Sequence, residues 1–396
     1  MWNKGFKRKY LAFGISFLIM LGGMSEQVTQ AEQAEEAVRY ASEEMVVISE
    51  SSAEAESIAA SKKEEIVEKK RKKAEKEKQK EDKKEEKEQR KNSKKLTKEK
   101  HEKKSVKSTT EEYGEFWNIV SIGSAEAGVD RLNESRTDVP VKVAILDSGV
   151  DYTDDIDVYM RRNFISGEDE ISVLYEDLCG HGTSVAGIIA AKDNGEGITG
   201  INPSVQLYSA RILDENRQAP VSRVVEAIDW AIEQEVDIIN ISFGTRTDSE
   251  AMHAAIQRAY AAGILIVAAA GNNGVVEYPA AYEEVIAVGA INPTGERAEG
   301  SAVGDELELV APGVQIVSTG AFGGLCVAGG TSLAAPHVTA VASILWQKDK
   351  TVSADFIRFL LAFTANQYGE NYEYGYGLVD LEFALGQYDA FREITL

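Results

Sequence analysis

Beyond residue 140 the chain is punctuated by short runs of almost unbroken aliphatic residues. They are VKVAIL (Val141–Leu146), VQLYSARI (Val205–Ile212), VDIINIS (Val236–Ser242), ILIVAAAG (Ile264–Gly271) and VIAVGA (Val285–Ala290). A strand with one face in water alternates apolar and polar residues, so runs this continuous predict strands buried on both faces. Helical periods lie between several of them: Val221–Glu235 follows the second run and Glu250–Ala262 precedes the fourth. Strand, helix, strand repetition predicts an α/β domain over residues 113–396, a mostly parallel sheet with helices on both faces.

Upstream the pattern changes. Residues Lys62 to Lys104 are dense in Lys and Glu with almost nothing apolar to bury. Opposite charges three or four apart support a solvated helix, but no apolar heptad is present to build a coiled coil. A helical or disordered spacer or propeptide is expected over residues 32–112. At the start, Lys4, Lys7, Arg8 and Lys9 precede an apolar run from about Tyr10 to Gly23, and Thr29-Gln30-Ala31 offers a small-residue cleavage site. This is the layout of an export signal, and the run falls short of the ~20 residues of a spanning helix. Residues 1–31 therefore read as a signal peptide or anchor. A secreted or extracytoplasmic protein is expected, with the charged spacer able to associate with a membrane or cell wall.

Charge divides the chain at the same place. Residues 1–112 hold 27 Lys/Arg and 23 Asp/Glu, whereas residues 113–396 hold 16 and 42, so the formal net charge of −22 arises in the C-terminal part. Such a surface lacks the cations that displace phosphate counterions, which argues against nucleic acid as a partner. It favours solubility and attracts cationic substrates. A monomer is expected.

Three segments carry chemistry. Ala144-Ile145-Leu146-Asp147-Ser148-Gly149 sets a carboxylate at the C-terminal end of a predicted buried strand, the end that faces the functional crevice in open α/β sheets. Taken alone, Asp147 reads better as the cap of the following turn. Gly180-His181-Gly182-Thr183 frames an imidazole with glycines ahead of an apolar helical stretch; the other histidines lie in the spacer (His101), on a polar helix face (His253) and inside a helix core (His337). Gly329-Gly330-Thr331-Ser332-Leu333-Ala334-Ala335-Pro336-His337 leads a glycine turn into a buried helix with a serine at its mouth. A serine hydroxyl needs a base to remove its proton, and the base needs a third group to orient it. The free N–H groups of a helix N-terminus also point at the charge that develops on an attacked carbonyl. An N-capping role would explain Ser332 but not the other two segments. A fourth segment, Ala268-Ala269-Ala270-Gly271-Asn272, ends a strand with an amide that can donate to the same oxyanion.

In these blocks (D-S-G, H-G-T, A-A-G-N and G-T-S-x-A-x-P-H, in that order) the chain resembles the subtilisin-like, or subtilase, serine proteases from about Trp117 to Leu385. The resemblance implies the three-layer subtilisin-like fold and a secreted serine endopeptidase that hydrolyses protein or peptide substrates through an acyl-enzyme. On it, Ser332 is the nucleophile, His181 the general base and then acid, and Asp147 the orienting carboxylate. Asn272 is the side-chain oxyanion donor, partnered by the Ser332 N–H. Ser242-Phe243-Gly244 would pair with substrate backbone as an added strand. Ala270-Gly271 would form the opposite wall of S1, the pocket for P1, the substrate residue ahead of the scissile bond. No cofactor is required for the chemistry. The loop Lys192–Gly200 resembles one that wraps a structural Ca²⁺ in the family, with Asp155 and Asn194 as candidate ligands. Ser184 stands where the family usually has a second histidine and Leu333 where it has methionine, for which packing changes alone are expected. The low-complexity spacer occupies the place of the usual folded inhibitory prodomain.

The connection from Asn272 to Tyr278 is short and ends in Glu277. The resemblance puts that place near the floor of S1, where a carboxylate out of water needs a cationic partner. An arginine or lysine at P1 would supply it, arginine the better through its planar fork. The alternative is a Glu277 turned outward by the shortened loop. A basic-P1 pocket would suit a maturation protease for exported peptides rather than a broad degradative enzyme, and a non-catalytic scaffold is the remaining reading. Cys179 and Cys326 precede His181 and Ser332 by two and six positions; they can form one bridge at most, and free thiols are expected.

Overall fold

A computed structural model describes residues 116–123, 139–165, 177, 179–195, 197–321 and 324–395. The expected signal peptide or anchor (residues 1–31) and the expected charged spacer (residues 32–112) lie outside the described residues. Each of the five aliphatic runs forms a strand: β1 (Lys142–Asp147), β3 (Gln206–Arg211), β4 (Ile238–Ile241), β5 (Leu265–Ala269) and β6 (Val285–Ile291). With β2 (Met160–Asn163) and β7 (Leu307–Pro312) they make one seven-stranded sheet in the order β2-β3-β1-β4-β5-β6-β7, parallel at every pairing. Strands β4, β5 and β6 are buried at every position, as two covered faces require. A two-stranded antiparallel hairpin, β8 (Ile316–Thr319) with β9 (Leu325–Ala328), stands apart from this sheet.

The helices are α1 (Trp117–Ser121), α2 (His181–Ala190), α3 (Val221–Glu233), α4 (Glu250–Ala261), α5 (Thr331–Lys348), α6 (Ala354–Thr364), α7 (Asn371–Tyr374) and α8 (Leu381–Thr395). Helices α2 and α5 pack on each other, α5 lying against β4 to β7 and α2 against β1, while α3 and α4 pack together against β1 and β5. Their sequences differ accordingly. Helix α4 is amphipathic, burying Met252, Ala255, Ile256 and Ala259 as one stripe, and Ser249 caps it by accepting from Met252 N. Helix α5 is buried nearly all round, as a helix enclosed between a sheet and other helices must be.

One ion pair crosses the core. Arg358 on α6 sets Nε and Nη2 on the Glu308 carboxylate of β7 at 2.9 and 2.6 Å, and Nη1 on the Glu283 carbonyl at 2.9 Å; both side chains are buried. Register places Leu146, Ile241 and Ala268 level across β1, β4 and β5. Asp147, Ser242 and the Ala270–Asn272 segment therefore emerge together at the C-terminal edge of the sheet, where open α/β folds build their sites.

Candidate active site

Strand β1 delivers Asp147 fully buried, and α2 begins at His181. The start of α2 lies so close to the end of β1 that a Cβ on Gly182 would stand 2.0 Å from Gly149 O and 3.1 Å from Asp147 Cβ. Only glycine permits that approach, and the approach brings the two side chains together. His181 Nδ1 lies 2.8 Å from Asp147 Oδ1 and 3.0 Å from Oδ2. With Nδ1–H donating to the carboxylate, Nε2 is the nitrogen left to take a proton. Burial works to lower the His181 pKa, but the charge of Asp147 and its hydrogen bond outweigh it, so the pKa rises above 6.5 despite an opposing effect of Arg217. The imidazolium form is thus stabilised in a place that is mostly out of water.

Ser332 sits in the first turn of α5, entered through Gly330 at φ 125°. Asn272 is clamped to the same turn: its Oδ1 accepts from Thr331 N at 2.9 Å, while Thr331 Oγ1 accepts from Gly271 N at 3.1 Å. With Oδ1 committed, the amide Nδ2 is the end that can donate elsewhere. A Cβ on Gly330 would stand 3.3 and 3.4 Å from the two amide atoms and 3.4 Å from Ser332 Oγ, so hydroxyl and amide border one gap that glycine keeps open. Pro336 lies four residues after Ser332 inside α5 and has no N–H to return to the Ser332 carbonyl. That carbonyl accepts from Ser242 Oγ instead, at 2.9 Å. Ser242 Oγ in turn accepts from Asn240 Nδ2 at 2.9 Å, and Asn240 Oδ1 accepts from Thr339 Oγ1 at 2.8 Å. A hydroxyl beside an amide donor and, on the neighbouring helix α2, an imidazole gripped by the carboxylate that ends β1 are the parts of nucleophilic acyl transfer.

Residues 139–377 match the model of the subtilase family. The chain belongs to that family. Subtilisin DY of Bacillus licheniformis is 41% identical over 251 residues, 62% of this chain and 90% of that protein. Subtilisin E of Bacillus subtilis (strain 168) is 37% identical over 278 residues, covering 68% and 72%, and the minor extracellular protease Epr of the same strain is 38% identical over 271 residues, covering 67% and 41%. As a subtilase the protein is a serine endopeptidase.

Several positions of this subtilase take on meaning from their surroundings. Ser242, Phe243 and Gly244 extend from β4, Ala270 and Gly271 from β5, and Glu277 lies between them, 8% exposed. The outward orientation considered for Glu277 is not adopted. Asp155 Oδ2 accepts from Thr319 Oγ1 at 2.6 Å, while its Oδ1 is buried without a hydrogen-bond partner among the described residues. Gly197, at φ 66°, passes so close that a Cβ there would stand 3.3 Å from Asp155 Oδ2; Asn194 is exposed on the same loop. Both cysteines are free. Cys326 Sγ lies 3.1 Å from the hydroxyl of Ser184, which also donates to Gly180 O, and Leu333 is buried in the core.

Three residues of the site escaped the sequence reading. Asp177 is fully buried: Oδ1 accepts from Ser148 Oγ (2.8 Å) and Gly180 N (2.9 Å), and Oδ2 from Thr183 N (2.8 Å) and Thr183 Oγ1 (2.7 Å). It holds the turn that presents His181. Its position a few residues ahead of a helix start was a readable capping signal. Asn240 and Thr339, interior polar residues on an apolar strand and a buried helix, were visible only as exceptions to their surroundings.

Proposed function

We propose that the enzyme is an extracellular endopeptidase that works through an acyl-enzyme on Ser332. His181 Nε2 takes the hydroxyl proton as Oγ bonds to the substrate carbonyl carbon, then returns it to the leaving amine. Water repeats the sequence to release the acid and restore the serine. Asp147 keeps the imidazole in the productive tautomer and stabilises its charged form. The carbonyl oxygen, as it gains charge, receives the Asn272 amide and the Ser332 N–H, a contribution typically worth ~10²–10³ in rate per donor. Substrate backbone lies along Ser242-Phe243-Gly244 as an added strand. The observation that carries this reading is the two-oxygen contact of Asp147 with His181 Nδ1 at the start of α2, a helix that packs on the α5 helix whose first turn carries Ser332.

An export signal at the start of the chain and a relative named for extracellular action support the location. The spacer would tether the enzyme to a membrane or wall. Among the described residues no helix is long and apolar enough to cross a membrane. A structural Ca²⁺ fits Asp155, whose buried Oδ1 lacks a hydrogen-bond partner and whose other oxygen lies under the Gly197 turn. The described residues hold no group of three or more His, Cys, Asp or Glu suited to a metal, so amide and carbonyl oxygens, Asn194 among them, would complete the shell. The ion would stiffen the loop and take no part in the chemistry. Glu277 inside the specificity pocket favours a maturation role on defined exported peptides over bulk degradation. A fluorophosphonate probe tests the core of the reading: wild type should be labelled and Ser332→Ala should not. Labelling that survives the substitution would remove Ser332 as nucleophile.

A further inference from the structure

The segment that closes the pocket is tied to both of its walls. Glu277 N donates to Ala270 O at 2.9 Å, and Tyr278 pairs with Thr245 in both directions at 2.8 Å. The Glu277 side chain is thereby held between the wall glycines. A Cβ on Gly244 would stand 2.9 Å from Oε2, and one on Gly271 would stand 2.9 Å from Cγ and 3.1 Å from Oε2. The two oxygens differ. Oε1 accepts from Asn273 Nδ2 at 2.9 Å and faces Arg246 Nε at 3.8 Å, whereas no hydrogen bond among the described residues engages Oε2. Arg246 has a 64% exposed side chain, so its long contact is screened and contributes little. A carboxylate 8% exposed is left with a weak counter-ion and one unengaged oxygen. Burying a charge in this way is costly until a better partner arrives.

We infer that S1 takes a cationic side chain at P1, and that Arg246 is a resident competitor displaced when substrate enters. This rests on the endopeptidase reading above. A lysine ammonium meets a single oxygen as a point charge, so lysine is accepted at least as well as arginine, whose fork needs both oxygens to show its advantage. The carboxylate also shortens the pocket for Phe and Leu and opposes them with an unpaired charge.

The test is a set of peptides differing only at P1 (Lys, Arg, Phe or Leu), cleaved by wild type, Glu277→Gln and Arg246→Gln, with active enzyme counted by the fluorophosphonate probe. Wild type should prefer Lys and Arg. Glu277→Gln should lose ~10–100-fold in kcat/KM on Lys, through KM, the range for a hydrogen bond to a charged group. Arg246→Gln, an exposed exchange that the fold tolerates, should raise kcat/KM on Lys a few-fold at low salt and less at high salt. A wild-type preference for Phe or Leu, a Lys preference that survives in Glu277→Gln, or a loss of Lys cleavage in Arg246→Gln overturns the inference. Failure of the probe to label wild type would instead overturn the endopeptidase reading, so the two failures are told apart.

Discussion

Protonation of His337 should cost the fold more than that of any other described histidine. The ring is fully buried in α5, with Nδ1–H donating to Leu333 O at 2.7 Å and Nε2 accepting from Asn118 Nδ2 at 3.0 Å, the pattern of a neutral imidazole. Burial pushes its pKa from 6.5 down to about 4, against a weaker opposing effect of the Leu333 carbonyl. The unfolded chain takes up this proton near pH 6.5 and the folded chain near pH 4. A depressed value of this kind supplies stability that is whole above pH 6.5 and is lost as pH falls toward 4. With about 1.4 kcal/mol per pKa unit, about 2 kcal/mol is gone by pH 5 and about 3 kcal/mol by pH 4. The assay is urea unfolding at pH 7 and pH 5 in a Ser332→Ala background, which prevents self-digestion, with and without His337→Gln. Glutamine keeps a donor and an acceptor and does not titrate. Carboxylates and His181 are common to both proteins and cancel in the difference; His181, with its raised pKa, has the opposite sign and loses its stabilisation as pH rises. The stability advantage of the histidine protein over the His337→Gln variant should shrink by about 2 kcal/mol between the two pH values. Equal losses, within about 0.5 kcal/mol, would mean that the buried ring is not held neutral, and the reasoning would fail.

Other outcomes follow from the same geometry. Asp147→Asn should keep the fold by circular dichroism and lose about 10⁴ in kcat, the size of effect this exchange has in another serine protease. The acid limb of kcat/KM, above pH 6.5 in wild type because Asp147 raises the His181 pKa, should move lower in the variant's residual activity. Asn272→Ala should lose ~10²–10³ in kcat with little change in KM, the size of loss that removing a side-chain oxyanion donor causes in subtilisin, and an unaltered kcat would exclude it from the oxyanion site. Arg358→Leu strands Glu308 in the core and should cost about 3–5 kcal/mol by urea unfolding, with most of it recovered in Arg358→Leu/Glu308→Leu. Chelation of Ca²⁺ should lower the Tm of wild type and leave that of Asp155→Ala unmoved; an equal response of both proteins would remove Asp155 from a calcium site.

The strands that the sequence announced are those covered on both faces. Strand β2 reads MRRN, with two of its four residues exposed, and pairs only with β3 at the edge of the sheet; an edge strand needs no aliphatic run, so nothing marked it. Strand β9 hid for a similar reason, since it exposes Leu325 and Val327. Strand β7 is fully buried yet carries Glu308, a charge that breaks the apolar run. Its partner Arg358 lies 50 residues further along, where periodicity cannot see it. Helix ends were expected at Glu235 and Ala262 and fall at Glu233 and Ala261, the margin over which terminal turns fray.

The site was legible where one short block holds both a reactive group and the backbone that presents it: His181 beside Gly182, and Ser332 with Gly330 before it and Pro336 after it. It was illegible where a polar residue answers to one far away, as Asn240 does to Thr339. Pro336 shows how the two kinds of information meet. By withholding an N–H it leaves the Ser332 carbonyl to a donor outside the helix, and that donor is Ser242, the residue that follows β4. Asn240 and Thr339 then hold Ser242 from beneath, linking strand β4 back to the same helix. The Ser242 segment and the turn that carries Ser332 are thus joined by a chain of hydrogen bonds that returns to α5. A change that shifts one must shift the other, so loss of Thr339 or Asn240, both fully buried, should appear in kcat as much as in KM.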